Sequence, residues 1–252
     1  MIMIGKIKKF AQRLSPATYM KLFRLKNEVI PQFFFWLARR KKKGTLVYVG
    51  MNVGDEFGTL FYKYKRCIGF EANPDNYNKV KSRFSKYENV EIYNYAASDS
   101  DGFVEFNISD NGNNAASGSM GRFSESREIG ASKRIKVESI NLYSFLSSKN
   151  ITYIDEYISD IEGMDLTVLQ TLSPFLDKNK IGAITCEVVR DGKDNPYTNI
   201  QSNFACDFSK LLDGKYELVA SGWGYLVDGT LNAVPESYTF MDCKWRSIEN
   251  DN

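Results

Sequence analysis

Thr45-Leu46-Val47-Tyr48-Val49-Gly50-Met51-Asn52-Val53-Gly54-Asp55 decides the fold. Its first five residues are a short β-branched apolar run ending in glycine, the pattern of a strand buried on both faces of a parallel sheet. Two glycines then let the backbone turn sharply and approach a ligand closely. The segment from Asp55 to Tyr64 reads as a helix whose N-terminal N–H groups would face an anion. A dinucleotide site places a third glycine in the middle of such a loop, where pyrophosphate comes close. Here that position is Asn52, which crowds a pyrophosphate but can donate to a single carboxylate. The ligand expected is an adenosine carrying an amino-acid tail. Tight strand–helix turns also use glycine for purely structural reasons, so the loop needs support from elsewhere.

That support lies about 20 residues on. Arg66-Cys67-Ile68-Gly69-Phe70-Glu71 reads as a second strand, followed by Ala72-Asn73-Pro74 and a helix from Asn76 to Phe84. An acid at the end of the second strand can accept both hydrogens of a ribose diol. Strand and helix patterns continue: strands at 90–95 and 103–106, a helix at 141–147, a strand at 153–159, and a helix to Leu172 capped by Asp165. A strand at 181–189, a helix carrying Phe204, Phe208, Leu211 and Leu212, and strands at 216–220 and 237–241 complete the series. Such alternation predicts a doubly wound α/β domain with a largely parallel sheet. Residues 109–134 break the rhythm with four glycines and six serines, the composition of a functional loop.

Ligands in such sheets bind beyond the carboxyl ends of the strands. Ser159-Asp160-Ile161-Glu162-Gly163 delivers two carboxylates there, and Ile184 to Asp191 adds Glu187 inside an apolar run. Asp160, Glu162 and Glu187 are the candidate catalytic residues, able to orient an acceptor or take its proton. Carboxylates at strand ends also satisfy loop N–H groups, so each has a structural alternative.

Composition narrows the chemistry. The chain of 252 residues has no histidine, which excludes histidine triads and histidine-ligated metals. Cys67, Cys186, Cys206 and Cys243 form no C-x-x-C pair, so no zinc site is expected and a reducing, cytoplasmic setting fits. Asp160 and Glu162 have only the oxygen donors that a hard cation would need. No apolar run suits a bilayer span or a secretory signal. Residues 1–43 hold twelve Lys and Arg and one acid, Glu28, a net of 12 − 1 = +11, against −9 for the remainder. This marks a basic, amphipathic helical extension (1–43) ahead of the main domain (44–252). Its Phe33-Phe34-Phe35-Trp36-Leu37 run, followed by Arg39 to Lys43, has two readings. The aromatics pack on the domain while the lysines are solvated, or the segment lies peripherally on an anionic membrane.

In order, Val49-Gly-Met-Asn-Val-Gly54, Gly69-Phe-Glu-Ala-Asn-Pro74, Tyr95-Ala-Ala-Ser-Asp-Ser-Asp-Gly102 and Ser159-Asp-Ile-Glu-Gly163 resemble the motifs of the FkbM family of S-adenosylmethionine-dependent methyltransferases. The resemblance runs from about Leu46 to Val189, and Asn111 to Ser119 resembles the family's Asn/Ser-rich loop. It implies a class I methyltransferase (Rossmann-like) seven-stranded sheet and S-adenosyl-L-methionine as cofactor. The reaction implied is methyl transfer to a hydroxyl on a sugar, glycan or other small molecule. Carried over by position, Gly50, Met51, Asn52 and Gly54 would face the methionine end, and Glu71 with Ala72 and Asn73 would hold the ribose. Ala96 and Ala97 would lie near the adenine, and Asp160 and Glu162 would border the methyl group and acceptor. Tyr48 stands where the family has an aspartate that holds the cofactor's ammonium, and Ile158 where it has a lysine. These departures keep a second reading open, a binding or adaptor protein with weak turnover. A nicotinamide oxidoreductase is disfavoured by Asn52. Specific nucleic-acid methylation is disfavoured by the missing Asp/Asn-Pro-Pro-aromatic and Pro-Cys motifs.

Overall fold

The computed structural model describes residues 18, 21–22, 24–37, 41–109, 117–120, 132–197, 199–200, 202–222 and 236–248. A helical segment comes first, with a π-turn at Leu25–Val29 running into α1 (Ile30–Leu37). Seven strands then build one sheet: β1 (Lys43–Val49), β2 (Tyr64–Phe70), β3 (Val90–Tyr93), β8 (Glu156–Ser159), β9 (Ala183–Val189), β10 (Tyr216–Gly222) and β11 (Phe240–Ser247). Their order is β10-β11-β9-β8-β1-β2-β3. Only β11 runs antiparallel to its neighbours, so the sheet is the mostly parallel, seven-stranded one expected.

Alternation along the strands assigns each residue to one of two cores. Val47, Val49, Ile68, Phe70, Tyr157 and Ile184 face one layer, which includes α3 (Leu142–Ser148), α4 (Asp165–Thr171), α5 (Ser173–Leu176) and α6 (Ala205–Leu212). Leu46, Tyr48, Cys67 and Ile158 face the other, packing on Phe57, Phe61 and Phe84, the last from α2 (Pro74–Phe84). α2 starts at Pro74, two residues before the expected Asn76. Asn73 accepts from the Asp75 N–H and Pro74 occupies the first turn, where its missing N–H costs nothing.

Several expectations are corrected. Residues 55–64 do not form an α-helix but two 3-10 turns, Phe57–Thr59 and Phe61–Lys63. Gly58, Thr59 and the aromatics around them are weak helix formers, and burial of Phe57 and Phe61 sets the path instead. Asp165 is not a helix cap. Met164 holds that position, and Asp165, fully buried, turns its carboxylate back to the Ser159 hydroxyl and the Ile161 N–H. The last strand starts at Phe240, not Ser237.

A second sheet was not foreseen. β4 (Ala96–Ser98), β5 (Gly102–Ser109), β6 (Ser117–Ser119) and β7 (Ser132–Asn141) pair in the order β4-β7-β5-β6. Most of the 109–134 loop lies outside the described residues, but β6 falls within it. Among the described residues no helix is long and apolar enough to cross a membrane. The four cysteines are unbridged, three of them buried.

Candidate active site

The carboxyl ends of β1, β2 and β8 converge on an open cleft. The floor is set by the glycine turn. Gly50, at φ +84°, donates its N–H to the Phe70 carbonyl at 3.0 Å. A Cβ there would sit 2.0 Å from the Asp160 backbone oxygen, so only glycine lets the ends of β1 and β8 meet. Asn52 (φ 50°) and Glu162 (φ 53°) are non-glycine residues in the left-handed region, and both line the cleft. Strain of that kind persists where surrounding contacts enforce it. For Glu162 these are Tyr197, whose hydroxyl donates to Oε2 at 2.8 Å, and Ser119, whose hydroxyl donates to the Glu162 carbonyl at 2.8 Å. Ser119 belongs to β6, so the small sheet is pinned to the loop after β8.

Glu71 ends β2 almost fully buried. Oε2 accepts the Asn52 N–H at 2.7 Å and Oε1 the Asn73 N–H at 2.9 Å. Asn94 donates to the Glu71 and Ala72 carbonyls and fixes the backbone. Burial pushes the Glu71 pKa up to about 7, against the two N–H donors that favour the charge. Beside it, Ala72, Tyr95, Ala96 and Ala97 form an apolar wall together with Phe106 and Met120.

The acidic end of the cleft spans the sheet. Glu187 and Asp242 are register partners across β9 and β11. Ser159 pairs with Cys186 in the preceding position, so Asp160 follows as the neighbour of Glu187. Asp160, Glu187 and Asp242 thus form one row on one face. Asp160 is open to the cleft, but the protein walls withdraw its hydration. That loss, followed by the charges of Glu162, Asp165, Glu56 and Asp242, raises its pKa well above the carboxylate range. Glu187 is raised in the same way, by burial first and by Asp160 and Glu162 next. Its Oε2 is buried without a hydrogen-bond partner among the described residues. Asp165, also raised by burial, to about 7, holds the loop from behind through Ser159 and Ile161. No cluster of three or more metal-ligating acids or cysteines occurs among the described residues.

Of the residues expected at the site, Gly50, Asn52, Glu71, Ala72, Ala96, Ala97, Asp160 and Glu162 line the cleft. Met51 does not. Its side chain is buried in the opposite core, where Gly69 leaves room for its sulfur. Gly54 packs against Phe84 and Val80, and Asn73 acts through Glu71 and as the cap of α2. Glu187 stands one strand further from the cleft wall, behind Asp160. Tyr48, buried and outside the cleft lining, donates its hydroxyl to Glu56 at 3.0 Å. Ile158 is buried beside it. Sequence reading missed Glu56, Asn76, Tyr95 and Asp242. Asn76 lies in the first turn of α2, five residues after Glu71, and its amide donates to Asn52 at 3.3 Å.

Among solved structures with similar folds are an rRNA methylase from Streptococcus thermophilus (13% identity, 89% of this chain and 98% of that chain, TM-score 0.45) and an S-adenosylmethionine-dependent methyltransferase from Clostridium acetobutylicum (9% identity, 95% and 98%, TM-score 0.42). A third is Aeropyrum pernix fibrillarin with natively bound S-adenosyl-L-methionine (10% identity, 90% and 76%, TM-score 0.43). No curated protein sequence matches the chain. The methyltransferase FkbM domain matches residues 49–201, which is 201 − 49 + 1 = 153 of the 252 residues and runs from the last residue of β1 through β9, with every carboxylate of the cleft wall. The chain belongs to the FkbM methyltransferase family.

Proposed function

We propose that this chain moves the methyl group of S-adenosylmethionine to a hydroxyl of a sugar, glycan or other small metabolite by direct displacement. The observation that carries the reading is one cleft holding a ribose-type acceptor, Glu71, at one end and two further carboxylates, Asp160 and Glu162, at the other. The donor set fits the cofactor. Each Glu71 oxygen accepts one backbone N–H and keeps a lone pair for a ribose hydroxyl. The Ala72–Tyr95–Ala96–Ala97 wall suits a flat purine, and Gly50 and Asn52 flank the space for the amino-acid tail. With Tyr48 committed to Glu56, the positive ammonium is left to Asp160.

Bound there, the cofactor supplies a methyl group already activated on a sulfonium. The chain's own work is to align the acceptor oxygen at a little over ~3 Å from that carbon and to take up its proton. Asp160, Glu162 and Glu187 are the bases proposed, with residues 44–252 as the catalytic domain and 1–43 as a basic extension. The three buried thiols suit a reducing compartment such as the cytoplasm. Turnover of Asp160→Asn, Glu162→Gln and Glu187→Gln on a hydroxyl acceptor is the test, and wild-type rates in all three would sink the assignment. Titration with S-adenosylhomocysteine, with NAD as control, tests the cofactor separately. The placement of Tyr48 and Ile158 favours one second reading, a protein that binds the cofactor without efficient turnover. Tight binding with no methylation across a broad acceptor screen would favour it.

A further inference from the structure

The helix ahead of β1 is built inside out. Its inward face is polar. Arg24 donates to Asp55 at 3.0 Å, Glu28 pairs with Arg83, and the Glu28 carboxylate lies against Gly58, where a Cβ would strike it. Phe35 alone of the described aromatics turns inward, edge-on to Tyr62. The expectation that the aromatics pack on the domain therefore does not hold for Phe33 and Trp36. Leu22, Leu25, Val29, Ile30, Phe33 and Trp36 all face solvent, with Phe33 at 54% and Trp36 at 72% exposure. They recur every three or four residues, a stripe normally reserved for a core. Lys21 and Lys26 stand exposed along it, and Lys41 and Lys42 beyond its end.

We propose that this stripe lies in the surface of an anionic lipid bilayer. Charge chooses the occupant. Residues 1–43 carry twelve Lys and Arg and a single acid, and that acid, Glu28, is turned inward and neutralised by Arg83. The outward side therefore offers apolar residues among cations only, which suits anionic headgroups over buried acyl chains. A second copy docking through the same stripe would bring two +11 segments together. The inward ion pairs hold the helix to the segment just after the glycine loop, because Asp55 follows Gly54 directly. Lipid contact would thus set the cleft beside the bilayer.

The test is co-sedimentation of the full chain with phosphatidylcholine vesicles, with and without phosphatidylserine. Binding is expected only with phosphatidylserine, weakening as salt screens the headgroups. Phe33→Ser/Trp36→Ser should lower vesicle affinity at least ~10-fold while S-adenosylhomocysteine binding stays unchanged. A blue shift of tryptophan emission on adding these vesicles, absent in Trp36→Phe, checks the same contact without disturbing the fold. No binding to the anionic vesicles overturns the proposal, as does unchanged binding of the double variant. A dimer in solution that the double variant dissociates would assign the stripe to a second copy instead.

Discussion

Glu187 and Asp242 face each other across the antiparallel pair of β9 and β11, with Asp160 continuing the row on β8. Like charges side by side on a sheet oppose each other, and partial burial removes the water that would screen them. Glu187→Gln should therefore lower turnover while raising stability. A general base is worth about 10²–10⁴-fold. The folded-state pKa of Glu187 is raised, so the folded chain holds this proton better than the unfolded one. Its charge lowers stability as pH rises above the ordinary carboxylate range, and the gain from the amide should be larger at high pH. In a chain this size about 1 kcal/mol appears as ~2–4 °C in Tm. Thermal melts and initial rates on the same variant check both signs, and a loss of stability would contradict this account.

Cofactor affinity should depend on pH through Glu71. The carboxylate, with a pKa near 7, must be charged to accept both ribose hydroxyls. Binding of S-adenosylhomocysteine should weaken as pH falls through about 7, approaching tenfold per unit. Glu71→Gln should bind weakly and lose this dependence. Calorimetry across the range decides, and an equally steep dependence in the variant would place the titrating group elsewhere.

Acid stability should rest on Glu156. Burial alone would raise its pKa, but Lys244 at 2.7 Å, the Tyr64 hydroxyl and Lys43 outweigh that and hold it at about 2, below its usual 4.5. A depressed acid contributes stability that is present above the unfolded value and lost as pH falls from 4.5 toward 2. The difference is worth about 3 kcal/mol. Lys244→Met should shift acid unfolding to higher pH, measured by urea melts at stepped pH.

Tyr48→Phe removes one hydrogen bond to Glu56, worth about 1 kcal/mol. Because Tyr48 is buried outside the cleft lining, S-adenosylhomocysteine affinity should change little. A large loss would mean that this tyrosine, despite its placement, serves the cofactor.

The sequence carried the central sheet plainly, because strands such as Leu46–Val49 and Ile184–Val189 are short, largely apolar and rich in β-branched residues. The cleft wall was legible in turn: Glu71 and Asp160 sit where strands end. The small sheet was not. β4 and β6 are three residues long, and Ser117-Gly118-Ser119 has the composition of a turn; its glycine is there to clear the Phe106 ring. Asp242 escaped because its importance comes from strand register, which no local pattern encodes. The first helix defeated the usual rule, since Arg24 and Glu28 face the protein while Leu25, Val29, Phe33 and Trp36 face out.

The central place of β1 has a consequence for biosynthesis. Leu46 pairs on one side with Cys67 and on the other with Glu156, 156 − 46 = 110 residues later. At about 5–20 residues per second, the ribosome supplies the first partner some ~5–20 s before the second. Throughout that interval the apolar edge of the strand that anchors the whole sheet stands open, a template for pairing with another nascent chain. Fragments ending before Glu156 are then candidates for aggregation and for capture by chaperones, and the carboxylates of β8 arrive on the residue that closes the gap.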